Sequence, residues 1–132
     1  MNRNELIART KKFAHNCVKL AASLPSTSID NHVRNQLNRC STSVAANYRA
    51  TCLAQSKAAF IAKISIVLEE CDESFFWLEF IKDEKLSVFP LDELLKESEE
   101  LTKIFGRSRL TAIGKKEITQ TDSSIFNLKS SI

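Results

Sequence analysis

The sequence predicts an all-α fold, an antiparallel up-down-up-down four-helix bundle. The 132 residues include only two Gly and two Pro, too few for the many tight turns that a β-rich fold needs. Apolar residues recur at helical spacing through four long segments. Short polar stretches separate these segments, and short connections are typical of helices that lie antiparallel to their neighbours.

The first predicted helix runs from about Arg3 to Leu24 and ends before Pro25. Five apolar residues recur in it at steps of three, four and seven, namely Leu6, Phe13, Cys17, Leu20 and Leu24. At about 100° per residue they fall within about 60° of arc and form one buried face. The second helix starts near Ser28, a plausible N-cap, and continues to about Ala54. Its apolar stripe consists of Val33, Leu37, Cys40, Val44 and Tyr48.

The third predicted helix follows Ser56, its candidate N-cap, and extends to about Lys85. Its core face consists of Phe60, Ile64, Val67, Leu68, Cys71, Phe75 and Leu78. Pro90 lies at or just before the first turn of the fourth helix, which ends before Gly114. The face of that helix consists of Leu91, Leu94, Leu95, Leu101, Ile104 and Phe105. Residues 1–114 are therefore predicted to form one bundle, with residues 115–132 a loosely ordered tail.

Small and polar residues interrupt the second helix along one edge of its apolar stripe. Gln36, Arg39, Ser43, Asn47 and Ala50 fall within about 80° of arc on a helical wheel. Small residues at such an edge let a neighbouring helix approach closely, and Arg39 and Asn47 can hydrogen-bond across the gap. No His or Lys stands at a spacing that would activate a serine here. We interpret Arg39, Ser43 and Asn47 as structural polar residues and predict no catalytic site.

The third helix has a second apolar side, almost opposite its core face. Ile66, Trp77 and Phe80 lie there, together with Glu73, which needs a donor such as Arg39 or Asn47. A helix that is apolar nearly all round is either fully buried or in contact with a partner. We predict that Ile66, Glu73, Trp77 and Phe80 form an oligomer interface. The alternative is that the tail, with Ile125 and Phe126, folds back over this side.

The net charge of +3 hides two halves of opposite sign. Residues 1–68 carry +8, from ten Lys or Arg and two Asp or Glu, while residues 69–105 carry −8, from four and twelve. Basic and acidic halves can meet head to tail around a ring, or neutralise each other within one bundle. The basic half can also contact nucleic-acid phosphates. The candidate nucleic-acid-binding residues are Arg9, Lys11, Lys12, Lys19, Arg34, Arg49 and Lys57.

Several classes of protein are disfavoured by the sequence. No apolar run approaches the roughly 18–20 residues of a membrane span, and no secretory signal is visible, so a cytoplasmic location is expected. The cysteines are separated by 23, 12 and 19 residues, without a CxxC pair, which favours buried thiols over a zinc site or disulfides. The Glu-x-x-His pairs of a bundle di-metal site are also missing. We therefore expect no metal and no cofactor.

The middle of the chain resembles a known family, the four helix bundle protein family, which is also named for the 23S rRNA intervening sequences that encode some members. The resemblance covers about residues 10–110. The matching residues are Gln36-Leu37, Arg39, Ser43-Val44, Ala46-Asn47, Ala58-Ala59-Phe60, Glu73 and Trp77-Leu78. Many members carry a Glu shortly after the Asn, whereas this chain has Tyr48-Arg49-Ala50.

The resemblance implies a four-helix fold and homo-oligomeric rings, often pentamers, with no enzymatic activity. A related protein, the accessory variability determinant of diversity-generating retroelements, is a basic pentamer that binds nucleic acid and a reverse transcriptase. The sequence therefore predicts a noncatalytic homo-oligomer that binds RNA or DNA through the basic surface of its first two helices. The alternative is a scaffold or adaptor that binds only another protein.

Overall fold

Four α-helices make up the part of the chain that the structure, a computed structural model, describes, which is residues 1–114. They are α1 (Arg3–Ala22), α2 (Ser28–Thr51), α3 (Lys57–Asp83) and α4 (Asp92–Ile113). The all-α fold class is confirmed. The prediction of a tail at residues 115–132 lies outside the described residues.

Three of the helices begin at a residue whose side chain accepts a hydrogen bond from the first turn. Asn2 accepts from the backbone N–H of Glu5 at 2.8 Å, and Ser56 accepts from that of Ala59 at 3.0 Å. In α2 the N-cap is Thr27, so the prediction of Ser28 was wrong by one residue. Thr27 can take this role because its backbone is still extended, which aims its hydroxyl at the N–H groups of the next turn.

The helices end two or three residues earlier than the apolar pattern predicts, except for α4. After α1 the apolar pattern continues into the loop. Leu24 is still buried there, although the helix has already ended at Ala22. After α3, Lys85 adopts a left-handed backbone conformation with φ of 54°, which turns the chain away from the helix axis. Gly114 ends α4 with φ of 90°, a conformation that favours glycine.

Contacts between helices run in opposite directions along two consecutive pairs. Between α3 and α4, Lys82 pairs with Asp92 at one end, and Arg109 donates to the Ser65 hydroxyl at 2.8 Å near the other. Between α2 and α3, His32 contacts Trp77, whereas Arg39 reaches back to Glu70. Helix α3 is therefore antiparallel to both α2 and α4, an arrangement compatible with the predicted up-down-up-down bundle.

The predicted apolar faces meet in one core. All five stripe residues of α1 are buried, as are all five of α2. On α3 the predicted core residues Phe60, Leu68 and Phe75 are only partly buried. Leu68 and Phe75 lie at one flank of the buried face, and Phe60 lies in the first turn of the helix. The core is closed by Phe105 of α4, whose ring centroid lies 5.1 Å from that of Tyr48 on α2. None of the four described helices is long and apolar enough to cross a membrane.

Candidate assembly and nucleic-acid-binding surfaces

Three consecutive aromatic contacts on the outer side of α3 form an aromatic patch, defined as Phe76, Trp77 and Phe80. The ring centroids lie 4.9 Å apart for Phe76 and Trp77, 5.8 Å for Trp77 and Phe80, and 6.4 Å for Phe76 and Phe80. Edge-to-face and tilted pairs of this kind add about 0.5–1.5 kcal/mol each beyond area burial. Phe76 is 52% exposed even so. The patch is ordered by its own contacts and remains open to a partner.

Trp77 holds the patch against the bundle. Its indole lies half-buried, with the ring centroid 5.5 Å from that of His32 on α2 in an edge-to-face arrangement. The indole Nε1 is buried and has no hydrogen-bond partner among the described residues. A buried donor left without an acceptor costs about 1–3 kcal/mol, so the indole stabilises the bundle less than its apolar contacts alone would.

Three of the four predicted interface residues, Ile66, Glu73 and Phe80, lie on one outward stripe of α3, and Trp77 lies beside that stripe. The structure adds members that the sequence reasoning missed. Ile66 is 42% exposed, whereas Glu73 and Phe80 are partly buried. Phe76 was missed, although it precedes Phe80 by four residues and so shares its face. We define the outer stripe of α3 as the residues at alternating steps of three and four, namely Ile66, Glu69, Glu73, Phe76, Phe80 and Asp83.

The structural polar residues of α2 divide between two tasks. Arg39 binds Glu70 at 3.2 Å and also pairs with Glu73, so the α3 carboxylates find their donor within the chain. Asn47 instead donates to the carbonyl and hydroxyl of Ser43 in its own helix, at 3.0 and 2.8 Å. With Arg39 half exposed, the pair is a surface contact that orients Glu73 and contributes little stability.

Arg9, one of the predicted phosphate contacts, is held by two carboxylates of α4. Its guanidinium donates to Glu97 at 2.8 Å and to Glu100 at 2.7 Å. These hydrogen bonds, above all those to Glu97, raise the pKa of Arg9 above its ordinary value. Because its charge is matched within the bundle, Arg9 ties α1 to α4 and has little capacity left for a phosphate.

Arg34, a second predicted phosphate contact, is committed to the end of α1. Its guanidinium donates to the carbonyl of Ala21 at 2.9 Å, to that of Pro25 at 3.0 Å, and to that of Leu24. The last carbonyls of a helix have no partner within it. Arg34 therefore serves as the cap of α1 and fixes the loop between α1 and α2.

Replacing Arg34 with Ala should lower the free energy of unfolding by about 1–3 kcal/mol, because the partly buried carbonyls of Ala21 and Leu24 each lose a charged donor. The matched control is Arg49→Ala, also on α2, whose exposed side chain makes no ion pair with any described residue. That change should stay within about 0.5 kcal/mol. Urea unfolding at one fixed protomer concentration measures both; equal losses would contradict the capping role of Arg34.

The other five predicted phosphate contacts are exposed and form no ion pair with residues 1–114. They are Lys11, Lys12, Lys19, Arg49 and Lys57. They do not share one surface. Lys12 and Lys19 line a groove of about 750 Å³ between α1 and α4, the α1–α4 groove. Lys11 and Arg49 line a groove of about 310 Å³ between α1 and α2, the α1–α2 groove, and Lys57 begins α3.

The four cysteines all fall within the described residues, and no disulfide joins any of them. Burial raises the pKa of the Cys17 and Cys40 thiols, which keeps both protonated and poorly nucleophilic. Within residues 1–114, no group of three or more His, Cys, Asp or Glu side chains is placed to hold a metal ion. The described part of the chain thus offers surfaces for binding and no constellation for metal-assisted chemistry.

Comparison with known proteins identifies a family and a similar solved structure. The family model described as 23S rRNA-intervening sequence protein matches residues 2–107. A crystal structure of a protein of unknown function from the S23 ribosomal protein family of Bacteroides thetaiotaomicron VPI-5482 is similar, with 29% identity and a TM-score of 0.73. The match covers 83% of this chain and 98% of that one. No curated protein matches the chain.

Proposed function

Because the chain belongs to the 23S rRNA-intervening sequence protein family, a resemblance now confirmed, we propose that it is a noncatalytic module that works by assembly and binding. It forms a homo-oligomer, a pentameric ring, through the outer stripe of α3. The assembled bundle binds RNA or DNA in the cytoplasm through exposed cations of α1, α2 and the start of α3. No reaction is assigned to it.

One observation supports the nucleic-acid part of the proposal: five exposed cations of the basic half, Lys11, Lys12, Lys19, Arg49 and Lys57, lack carboxylate partners within residues 1–114. Arg9 and Arg39 instead pair with carboxylates, and Arg34 donates to backbone carbonyls. Cations that point into solvent can replace the counterions of a phosphate backbone, and such binding weakens steeply with salt. Point charges on helices do not read base edges, so little sequence preference is expected.

Assembly would increase the number of exposed cations that one nucleic acid can contact. Each copy in a ring presents the same cations, and a long nucleic acid can contact several copies at once. The second and later contacts are then intramolecular and gain from high effective concentration. The proposal therefore links the aromatic patch to binding, although the two surfaces lie on different helices.

The second candidate function is a protein scaffold without nucleic-acid binding. The acidic residues of α3 and α4 favour it, because residues 69–105 carry −8 and would repel a phosphate backbone. A basic protein partner could dock on that half of the bundle. The two candidates differ in what they bind at low salt.

A salt titration separates the candidates. Binding of a labelled single-stranded RNA, followed by fluorescence anisotropy, should be readily measured at low salt and fall as salt rises. Changing Lys12 and Lys19 to Glu should flatten the plot of log K against log salt by about 0.7 per lost phosphate contact. The matched control reverses two exposed cations of α4, Lys96 and Arg107, and should leave the slope nearly unchanged.

Two results would count against nucleic-acid binding. If the wild-type protein has no affinity for RNA or DNA at low salt, nucleic-acid binding is excluded and the protein scaffold is the remaining candidate function. Equal losses in the α1 variant and its α4 control would mean that net charge alone governs the association, without a defined basic surface.

A further inference from the structure

The α1 wall of the α1–α4 groove presents a cation, an amide and a second cation in one row. Lys12, Asn16 and Lys19 follow one another at steps of four and three, so they share one face of the helix. Both lysines are exposed, and neither forms an ion pair with residues 1–114. Asn16 is partly buried, and its carboxamide has no hydrogen-bond partner among the described residues. This wall can therefore bind anionic and polar groups.

The opposite wall, contributed by α4, is acidic. Glu93 is exposed and has no cationic partner within the described part of the chain, whereas Glu97 is held by Arg9. Between the two walls, the buried side chains of Phe13 and Leu20 contribute an apolar floor. The groove thus has a basic side, an acidic side and an apolar base, and its two sides suit different chemical groups.

An aromatic ring lies at one end of the groove, in the connection that leads into α4. Phe89 lines the groove and is 56% exposed. The hydroxyl of Ser87 accepts from the Phe89 N–H at 3.0 Å and donates to the Phe89 carbonyl at 3.1 Å. Pro90 follows and restricts the backbone of Phe89 further. The ring is therefore presented to solvent from a backbone that is already fixed.

This arrangement matches the two sides of a single nucleic-acid strand. Phosphates run along one side of such a strand and can pair with the unpaired lysines of α1. Bases lie on the other side, where they can stack on an exposed aromatic ring. Amino groups on base edges can donate to a carboxylate such as that of Glu93. A lone exposed Phe indicates nothing about function, but here each group lies on the side where the strand requires it.

A duplex fits the same groove less well. Its bases are stacked on each other, so their faces are not available to Phe89. A duplex also carries a second row of phosphates, which the carboxylate of Glu93 would repel. The acidic wall is thus a feature that disfavours a duplex and tolerates a single strand.

We propose that the α1–α4 groove binds a short stretch of single-stranded nucleic acid, an inference that rests on the proposed nucleic-acid function. An unpaired base stacks on Phe89, and the phosphates contact Lys12 and Lys19. Asn16, between the two lysines, hydrogen-bonds the sugar or a base edge. The volume of about 750 Å³ is within the range of small-molecule sites, so only a few nucleotides occupy one groove.

The preference for one strand over two is the first test, made on the full-length protein at low salt. Fluorescence anisotropy compares a labelled RNA of unstructured sequence with the same strand annealed to its complement. Charge density alone favours the duplex. The single strand should nevertheless bind at least about tenfold more tightly, because only its bases can stack. Glu93→Gln should narrow this difference, since the second row of phosphates is then no longer repelled.

Variants of Phe89 test the stacking contact. Phe89→Ala and Phe89→Leu should each weaken single-strand affinity by a factor of about 5–150, the range for loss of one base stack. The salt dependence should not change, because no charge is altered. Phe89→Trp should bind at least as tightly as wild type, since it keeps an aromatic face. Because Leu is apolar but not aromatic, the difference between Leu and Trp isolates stacking.

Val88→Ala is the matched control, because Val88 precedes Phe89, is 91% exposed and does not line the groove. This variant should bind the single strand as wild type does. Circular dichroism and light scattering should show unchanged helix content and mass for every variant of the connection, so that a loss of affinity reports on the groove.

The contrary results separate this inference from the proposed function. If Phe89→Ala binds as wild type does while reversal of Lys12 and Lys19 weakens binding, the cations hold phosphates without a stacked base; the inference fails and nucleic-acid binding is retained. Equal or tighter binding of the duplex, or equal affinity of the Leu and Trp variants, also overturns the inference. Wild-type protein without affinity for any nucleic acid at low salt removes the inference and the proposed nucleic-acid function together.

Discussion

Replacing Phe76 with Glu should convert the assembled protein to monomers of 14.9 kDa. Phe76 is the most exposed member of the aromatic patch and contacts both Trp77 and Phe80. Covering a Phe side chain contributes about 1.5–3 kcal/mol to association. A carboxylate at the same place loses that contribution and adds the cost of burying a charge without a donor.

The change is aimed at Phe76 because Trp77 has two roles. From the sequence, Trp77→Glu is expected to give monomers, and the half-burial of the indole against His32 adds a second effect. A carboxylate there would lie at the edge of the core and would also destabilise the bundle. Phe76 lies farther from the core, so its replacement separates assembly from folding.

Phe89→Glu is the matched control, since Phe89 is 56% exposed and lies in the connection between α3 and α4. The control should keep the wild-type mass, whereas Phe76→Glu should lower it with an unchanged helical circular dichroism spectrum. Light scattering at several concentrations measures both. An unchanged mass for Phe76→Glu would remove the outer stripe of α3 as the interface.

Replacing Phe105 with Ala should lower the free energy of unfolding by about 3–5 kcal/mol. Phe105 is fully buried, and its ring centroid lies 5.1 Å from that of Tyr48 across the bundle. Truncation removes this diagonal contact between α2 and α4 and leaves a cavity that the long helices cannot close without bending. Burial, together with the neighbouring Cys52, raises the pKa of Tyr48 to about 12.

Phe89→Ala provides the comparison for this change, because it removes the same atoms from an exposed position and should cost well under 1 kcal/mol. Urea unfolding at one protomer concentration gives both values, because the proposed assembly would make the apparent stability depend on concentration. Similar losses for the two variants would contradict the central place of Phe105 in the core.

The helices and the core could be predicted because they depend on spacing within one segment. A stripe such as Val33, Leu37, Cys40 and Val44 repeats the helical period, and that period alone indicates which side is buried. Helix ends are less certain, because the apolar pattern of α1 continues through Leu24 after the helix has ended at Ala22. The N-cap of α2 was misplaced because Thr27 and Ser28 carry equivalent hydroxyls.

The partners of individual charged side chains could not be predicted, because these contacts join residues that are distant in sequence. Arg9 meets Glu97 and Glu100 only once α1 and α4 lie side by side. Arg34 finds the carbonyls of the preceding loop only once that loop has folded. No spacing of residues along the sequence indicates either of these contacts. The seven predicted phosphate contacts therefore include two whose donors are occupied and five that point into solvent.

The central claim is that the outer stripe of α3 is covered by another copy of the chain, and the wild-type mass tests it most directly. Sedimentation equilibrium of the full-length protein across the micromolar range should give a single assembly of more than two protomers, each of 14.9 kDa. A mass of 14.9 kDa at every concentration would contradict the claim, and would leave the aromatic patch without its proposed partner.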